Sequence, residues 1–154
     1  MNLFDLLKPE AVRVISAASS KKRLLYAIAD IANAAYGIDS SKSVDALMER
    51  ENLGPTGVGN GVALPHARLP ELDRVRGVFV LLEKPVEFRA VDHQPVDLFF
   101  ALFAPENAGV EHLKALASAS RTLRDPSVCA KLRANPDAST LYTILTESQR
   151  TQAA

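Results

Sequence analysis

The sequence predicts an α/β protein, a three-layer domain in which helices cover both faces of one central sheet. Three observations predict it. Helical apolar spacing dominates the first third of the chain, short runs rich in Val, Phe and Leu dominate the middle, and helical spacing returns in the last third. Helices that precede and follow a block of strands bury their apolar stripes most economically on its two faces. The length, 154 residues with 47% apolar side chains, suits one domain with one sizeable core. A chain of this size buries roughly 70% of the surface it exposes when unfolded. The expected domain covers residues 1–148, followed by a frayed tail over 149–154.

Taken in order, Leu3, Phe4, Leu6 and Leu7 suggest a helical turn stopped by Pro9, and Val12, Val14 and Ile15 a short strand. Ser19 or Ser20 caps a helix over Lys21–Tyr36, whose Leu24, Leu25, Ile28, Ile31, Ala32 and Ala35 keep helical spacing. Gly37 stops it, because glycine accepts the left-handed conformation at a helix end. A second helix is expected from Val44 to about Asn52. Val62–Leu64, Val75–Leu82 and Val96–Phe103 read as buried strands, with Pro85 and Pro95 punctuating the links. Val110–Arg124 reads as a helix with apolar Leu113, Leu116, Ala117 and Leu123, followed by an Asp125 cap with Pro126 at the first helical position. Ser139 caps a last helix containing Leu141, Ile144 and Leu145.

Composition excludes several classes. Eighteen basic residues balance eighteen acidic ones, so the basic surplus typical of nucleic-acid binding is missing. No apolar run reaches the ~18 residues of a membrane span, and Met1-Asn2-Leu3-Phe4-Asp5 lacks the basic start and apolar stretch of a signal peptide. The lone Cys129 forms no internal disulfide. The expected compartment is the cytoplasm.

One segment carries chemistry. Gly54, Gly57, Gly59 and Gly61, four of the seven glycines, fall in eight positions ahead of Val62-Ala-Leu-Pro-His66. Such clustering suits a loop whose backbone approaches a ligand or turns sharply, and its N–H groups are candidates to cradle an anion. Two familiar nucleotide loops fail here: Gly61 is followed by Val62 rather than Lys-Ser/Thr, and the position three after Gly59 is again Val62 instead of glycine. Pro65 fixes its own φ and restrains Leu64, which helps aim His66. A neutral imidazole is a competent nucleophile near pH 7. Phosphoryl transfer asks the protein for positioning and charge stabilisation; Arg50, Thr56, Asn60 and the amides of Gly57 and Gly59 are candidate suppliers. By chemistry alone, a lone His after Pro is more often a loop histidine than a catalyst, and the glycines fit a turn-rich connector as well as an anion site.

Thr56-Gly-Val-Gly-Asn-Gly-Val-Ala-Leu-Pro-His66 resembles the phosphorylation-site signature of the fructose/mannitol/nitrogen class of IIA proteins of the phosphoenolpyruvate phosphotransferase system. Arg50-Glu51 stands where that class has an Arg-Glu pair. Ser20-Lys-Lys-Arg23, Gly77-Val-Phe-Val80, Gln94-Pro-Val-Asp-Leu-Phe-Phe-Ala-Leu102 and His112-Leu113 are similar too, in order along nearly the whole chain. The resemblance implies a mixed sheet flanked by helices, with the site at the sheet's end. It implies that His66 accepts a phosphoryl group from a small histidine phosphocarrier, beside Arg50 and a second histidine, His112. No metal and no cofactor are implied. The free-standing chain and the Ser-Lys-Lys-Arg and Gln-Pro-Val-Asp segments resemble the nitrogen type, whose members regulate protein targets such as potassium-transport or sensor proteins. The departures are Pro55, where serine is common, and Ala67-Arg68, where Gly-Lys is common.

Two other readings use the same residues. A metal hydrolase would draw on His66, His93, His112 and Asp92, but no pair has the i, i+4 spacing of a strong metal motif. A non-catalytic anion-sensing module on the same fold would leave His66 unmodified. Outside the motif, His93 reads as a surface turn residue, Cys129 as a small buried apolar one, Lys21-Lys22-Arg23 as a solvated helix start, and Phe99-Phe100 as core.

Overall fold

A computed structural model describes the backbone of residues 2–153 and the side chains of residues 2–147. The chain opens with α1 (Leu3–Leu6), a 3-10 turn (Pro9–Ala11) and β1 (Val12–Ile15). Helix α2 (Lys21–Tyr36) is capped by the Ser20 hydroxyl, which accepts from Arg23 N–H at 3.1 Å. It ends at Gly37, left-handed at φ 73°, as expected. Helix α3 (Ser40–Leu53) starts four residues before the expected Val44. The reason is Asp39, whose carboxylate accepts from Lys42 N–H at 2.9 Å and caps a polar first turn that apolar periodicity does not register.

Strands β2 (Gly57–Gly59), β3 (Val62–Ala63), β4 (His66–Leu69), β5 (Arg76–Val86) and β6 (Val96–Pro105) follow. Neither β2 nor β4 was expected from the sequence. The β5 strand also corrects the role given to Pro85, which lies inside it. Its missing N–H costs no ladder bond, because the β5–β6 register is irregular between Leu81 and Val86. The chain closes with α4 (Val110–Leu123), α5 (Pro126–Ala134) and α6 (Ala138–Ala153). Asp125 caps α5 as expected, with Pro126 in its first turn. At α6 the cap is Asp137 rather than Ser139: its carboxylate accepts from both the N–H and the hydroxyl of Thr140, at 2.9 and 2.7 Å. The frayed tail expected over 149–154 falls on residues whose side chains lie outside those described.

The sheet is mixed, in the order β1-β5-β6-β3-β2, with β4 also paired to β6. β5 and β6 are antiparallel, and β1–β5, β3–β6 and β4–β6 are parallel. Side chains alternate along the central pair and split the core in two. Val78, Val80, Leu82, Phe99, Ala101 and Phe103 pack with the apolar faces of α2 and α3. Phe79, Leu81, Leu98, Phe100 and Leu102 pack with α1, α4, α5 and α6. Phe99 and Phe100 are fully buried, one on each face, which confirms the three-layer reading. Helix α4 departs in part from expectation: Leu123 is buried and Leu116 packs on the core as expected, but Leu113 is 65% exposed, and His112, Ala115 and Ala119 are buried. One position of shift is ~100° around a helix, and the small alanines let α4 lie close to the sheet.

Two features of this frame position the site. Strands β3 and β4 run one after the other along the same edge of β6, with Val62 opposite Leu98 and His66 opposite Leu102. Strands β2 and β3 form a tight hairpin whose turn, Asn60-Gly61, takes φ 58° and 78°. Asn-Gly is the pair that a two-residue hairpin with two left-handed residues prefers.

The hairpin packs without slack. A Cβ on Gly57 would sit 2.7 Å from Ala90 Cβ and 2.8 Å from Ala90 Cα, a clash with backbone that no rotamer relieves. Gly57→Ala is therefore expected to destabilise the fold by ~1–3 kcal/mol, the usual range for overpacking. A urea-unfolding midpoint equal to that of the unaltered protein would show that the 90-region moves aside freely.

Candidate functional site

His66 is the first residue of β4, directly after Pro65. Its Nδ1 lies 2.9 Å from the Leu64 carbonyl oxygen, an acceptor, so Nδ1 carries the proton and donates it. The Nε2 lone pair is left facing outward. Arg50, in the last turn of α3, donates its Nε–H to that Nε2 at 3.2 Å and its Nη1–H to the Gly54 carbonyl at 2.9 Å. His112, in the first turn of α4, presents its ring edge to His66, with centroids 5.4 Å apart and planes at 73°. The structure thus brings together the three residues expected to form the site.

They line a cleft of about 520 Å³, with Arg68 on its wall and Leu53 and Leu113 at its rim. Burial is the main cause that lowers the pKa of His66. The Leu64 hydrogen bond opposes this, Arg50 lowers it again, Glu51 raises it and Arg68 lowers it. The net direction keeps His66 neutral and nucleophilic near pH 7. His112 is only 5% exposed, and its Nε2 is buried with no hydrogen-bond partner among the described residues. Burial, then the neighbouring His66 and Arg68, push it down to about 4.

The four residues expected to bind phosphate beside His66 are not in this cleft. The Thr56 hydroxyl donates to Glu51 Oε1, and its N–H reaches Glu51 Oε2 at 3.4 Å. Gly57 packs on Ala90, and Gly59, at φ 104°, faces Asp92. Asn60 donates its N–H to Asp92 Oδ2 at 3.0 Å, and its carbonyl accepts from Arg133 Nη2 at 2.9 Å. The glycine segment is a braced hairpin here, and its amides do not form a nest around His66. Asn60-Gly61 was the sequence signal for it.

Two further charged residues bear on this cleft in ways the sequence did not reveal: Arg68 lines it, and Lys21 pairs with Glu51 beside Arg50. Arg68 stands two residues after His66 on β4, and period-2 alternation puts both side chains on one face. Lys21 is not simply solvated: its ammonium lies 2.7 Å from Glu51 Oε2 and 4.5 Å from the Phe88 ring centroid. His93 is an exposed turn residue at φ 60°, as expected, and Cys129 is buried. Asp92 spends its two oxygens on the N–H groups of Asn60 and Gln94. Among the described residues no group of three His, Cys, Asp or Glu side chains gathers as metal ligands would, and no helix is long and apolar enough to cross a membrane.

Comparison with known proteins agrees with this frame. Residues 5–148 match the family described as phosphoenolpyruvate-dependent sugar phosphotransferase system, EIIA 2. A nitrogen regulatory protein of Bradyrhizobium diazoefficiens is 45% identical over 145 residues, 94% of this chain and 95% of that one. The crystal structure of nitrogen regulatory protein IIA-Ntr from Neisseria meningitidis superposes with a TM-score of 0.85 at 32% identity, covering 94% of this chain and 99% of the other. The mannitol IIA protein of Escherichia coli, solved in complex with its phosphorylated IIB enzyme, shares the fold with a TM-score of 0.72 at 22% identity over 91% and 98% of the two chains.

The buried imidazole of His112 predicts a pH dependence of stability. Unfolded, it titrates at its ordinary value of about 6.5; folded, it titrates at about 4. Between those values the unfolded chain binds the proton that the folded chain refuses. Stability is therefore highest above pH 6.5 and falls as the pH drops toward 4. His112→Gln is expected to flatten that slope, leaving the contribution of His66, which has the same sign. Chemical-denaturation midpoints measured from pH 7.5 to 4.5 test this; parallel slopes for the two proteins would remove His112 as the cause.

Proposed function

This chain belongs to the EIIA 2 family of the phosphoenolpyruvate-dependent sugar phosphotransferase system, and on that premise we propose that it is a nitrogen-type phosphohistidine carrier with His66 as acceptor. The donor is a small histidine phosphocarrier protein, the compartment is the cytoplasm, and the outputs are regulatory contacts with protein targets such as potassium-transport or sensor proteins. The relatives named nitrogen regulatory protein support the regulatory half of this reading.

A single observation carries the chemical half: a neutral imidazole whose Nδ1–H is tied to Leu64 turns its Nε2, which accepts from Arg50, into a cleft beside His112. In the proposed transfer, Nε2 attacks the phosphorus of the donor's phosphohistidine. The donor's P–N bond breaks as the Nε2–P bond forms, and the donor imidazole leaves with the electron pair. The His66 ring becomes more cationic as the bond forms, and the Leu64 carbonyl, already holding the Nδ1 proton, stabilises that charge. Arg50 gives up the Nε2 lone pair and turns its N–H groups to the phosphoryl oxygens, for which its planar fork is suited. His112, with its ring centroid 5.4 Å from that of His66, is the proposed further donor to the same oxygens. The mannitol IIA protein solved with its phosphorylated IIB enzyme supports a protein, rather than a small molecule, as the exchange partner.

The test is incubation with phosphoenolpyruvate, the first enzyme of the system and its phosphocarrier, followed by intact-mass measurement and NMR of the ring nitrogens. One acid-labile phosphoryl group on Nε2 of His66 is expected, and none on His66→Ala. Full labelling of that variant, or attachment through Nδ1, would overturn the reading. Arg50→Ala should fold and still accept the group, but about a hundredfold more slowly, as when one donor to developing charge is lost. His112→Ala should accept it on His66 and hold it for a shorter time; equal phosphoprotein lifetimes would leave His112 as a packing residue.

A further inference from the structure

Arg68 is the cation of the cleft that neither the motif nor the mechanism above uses. It lies two residues beyond His66 in β4, so their Cα atoms are about 6.6 Å apart along an extended strand. Ala67 and Leu69, which alternate with them, are buried in the core against α2 and α3. That fixes the opposite face of β4 as the one from which both His66 and Arg68 project, and both line the cleft. Arg68 is also near enough to depress the protonation of both His66 and His112.

Its guanidinium is held in place. Arg68 Nη1 donates to the Glu106 carbonyl at 2.9 Å, in the connection between β6 and α4. One end of the side chain is thus fixed on the strand of His66 and the other just ahead of the helix that carries His112. The bond to Glu106 uses one of five N–H donors and leaves a fork able to meet a second acceptor. Helix α4, which begins at Val110, has no side-chain cap at Gly109, and its first turn carries one carboxylate, Glu111.

We propose that Arg68 is a second phosphoryl-binding arginine, closing with Arg50 on the group carried by His66, Arg50 from α3 and Arg68 from β4. This rests on the reading of His66 as the acceptor. A lysine, common at this position in the class the chain resembles, would bring charge but no fork. Arginine at 68 keeps its hold on Glu106 while donating to the phosphoryl oxygens. Its cation offsets the double negative charge of the phosphoryl group, and holding those oxygens slows the loss of the group to water.

The test removes the partner protein. Phosphoramidate phosphorylates histidine directly: its P–N bond breaks as Nε2–P forms, and ammonia leaves. The unaltered protein, Arg68→Ala and Arg68→Lys are compared for the rate of labelling, the lifetime of the phosphoprotein and the pH midpoint of its phosphorus NMR resonance. Arg68→Ala is expected to label more slowly and to lose the group about tenfold faster, a smaller effect than at a fully enclosed donor because Arg68 is exposed. The phosphorus midpoint should rise, since an adjacent cation lowers it, and a merely structural brace would not move it. Arg68→Lys should fall between the two. If the unaltered protein labels at His66 and both variants match it in lifetime and midpoint, the clamp is wrong and the acceptor stands. If the unaltered protein does not label at residue 66, both fall together.

Discussion

Strand β6 needs a partner along its whole edge, and the chain supplies that partner in two pieces. β3 pairs with the first half and β4 with the second, and Leu64-Pro65 bridge the gap. Proline cannot donate to the ladder, but its carbonyl still accepts from Leu102 N–H at 2.9 Å, which keeps the two pieces in register. The Leu64 carbonyl accepts from the His66 ring at 2.9 Å. The interruption therefore sets the direction of the imidazole and its tautomer at once. A continuous strand would place residue 66 in the same row but without that carbonyl beneath its ring, and the choice between Nδ1 and Nε2 as the free nitrogen would be lost. The hairpin behind it, braced by Arg133 on both the Asp97 carboxylate and the Asn60 carbonyl, fixes where β3 begins.

Charge is arranged around that ring by division of labour between neighbours in sequence. Arg50 and Glu51 are adjacent on α3, and a buried carboxylate beside an arginine would normally claim it. Here Glu51 is taken by Lys21 and by the Thr56 hydroxyl and N–H. That leaves Arg50 for His66. Removing Lys21 would strand a buried carboxylate, a change that typically costs ~3–5 kcal/mol, and Arg50 is the cation nearest in sequence to replace it. The bland-looking Lys21 thus guards the freedom of Arg50. Burial first, then Arg50 and Arg68, lower the pKa of His66, and on the proposed reading the same two cations would favour a phosphoryl dianion once it is attached.

Where local chemistry decides local structure, the sequence was readable. Ser20 and Gly37 bound α2, and Asp125-Pro126 starts α5, because caps act within one turn. His66 and Arg50 were readable as candidates because the motif is long, and the structure brings their side chains together. What failed had competing explanations. Asn60-Gly61 is a strong hairpin signal, yet the glycine count around it suggested an anion loop, and only the contacts to Ala90, Asp92 and Arg133 decide between them. The buried side of α4 was misjudged because leucines outweigh alanines on any apolar scale, while close approach to the sheet favours Ala115 and Ala119. Arg68 was passed over because residues 66–69 were not recognised as a strand, and without that alternation nothing places it beside His66.

The misjudged face of α4 has a consequence for chemistry. Turning the helix to bury His112 and the alanines puts Leu113 on the rim of the cleft, opposite Leu53 of α3, which is 82% exposed. A phosphoryl group on nitrogen is lost to water, and charge stabilisation by arginine weakens in a high dielectric. This cleft is open, so on the proposed reading the chain alone would supply the charges and the nucleophile but only part of the dry surroundings. On the proposed reading a partner's surface completes them, with an apolar rim to seat it and a charged floor to receive the group. Burying His112 and exposing Leu113 are then two results of one helix rotation, the first serving the group once it is bound and the second serving its arrival.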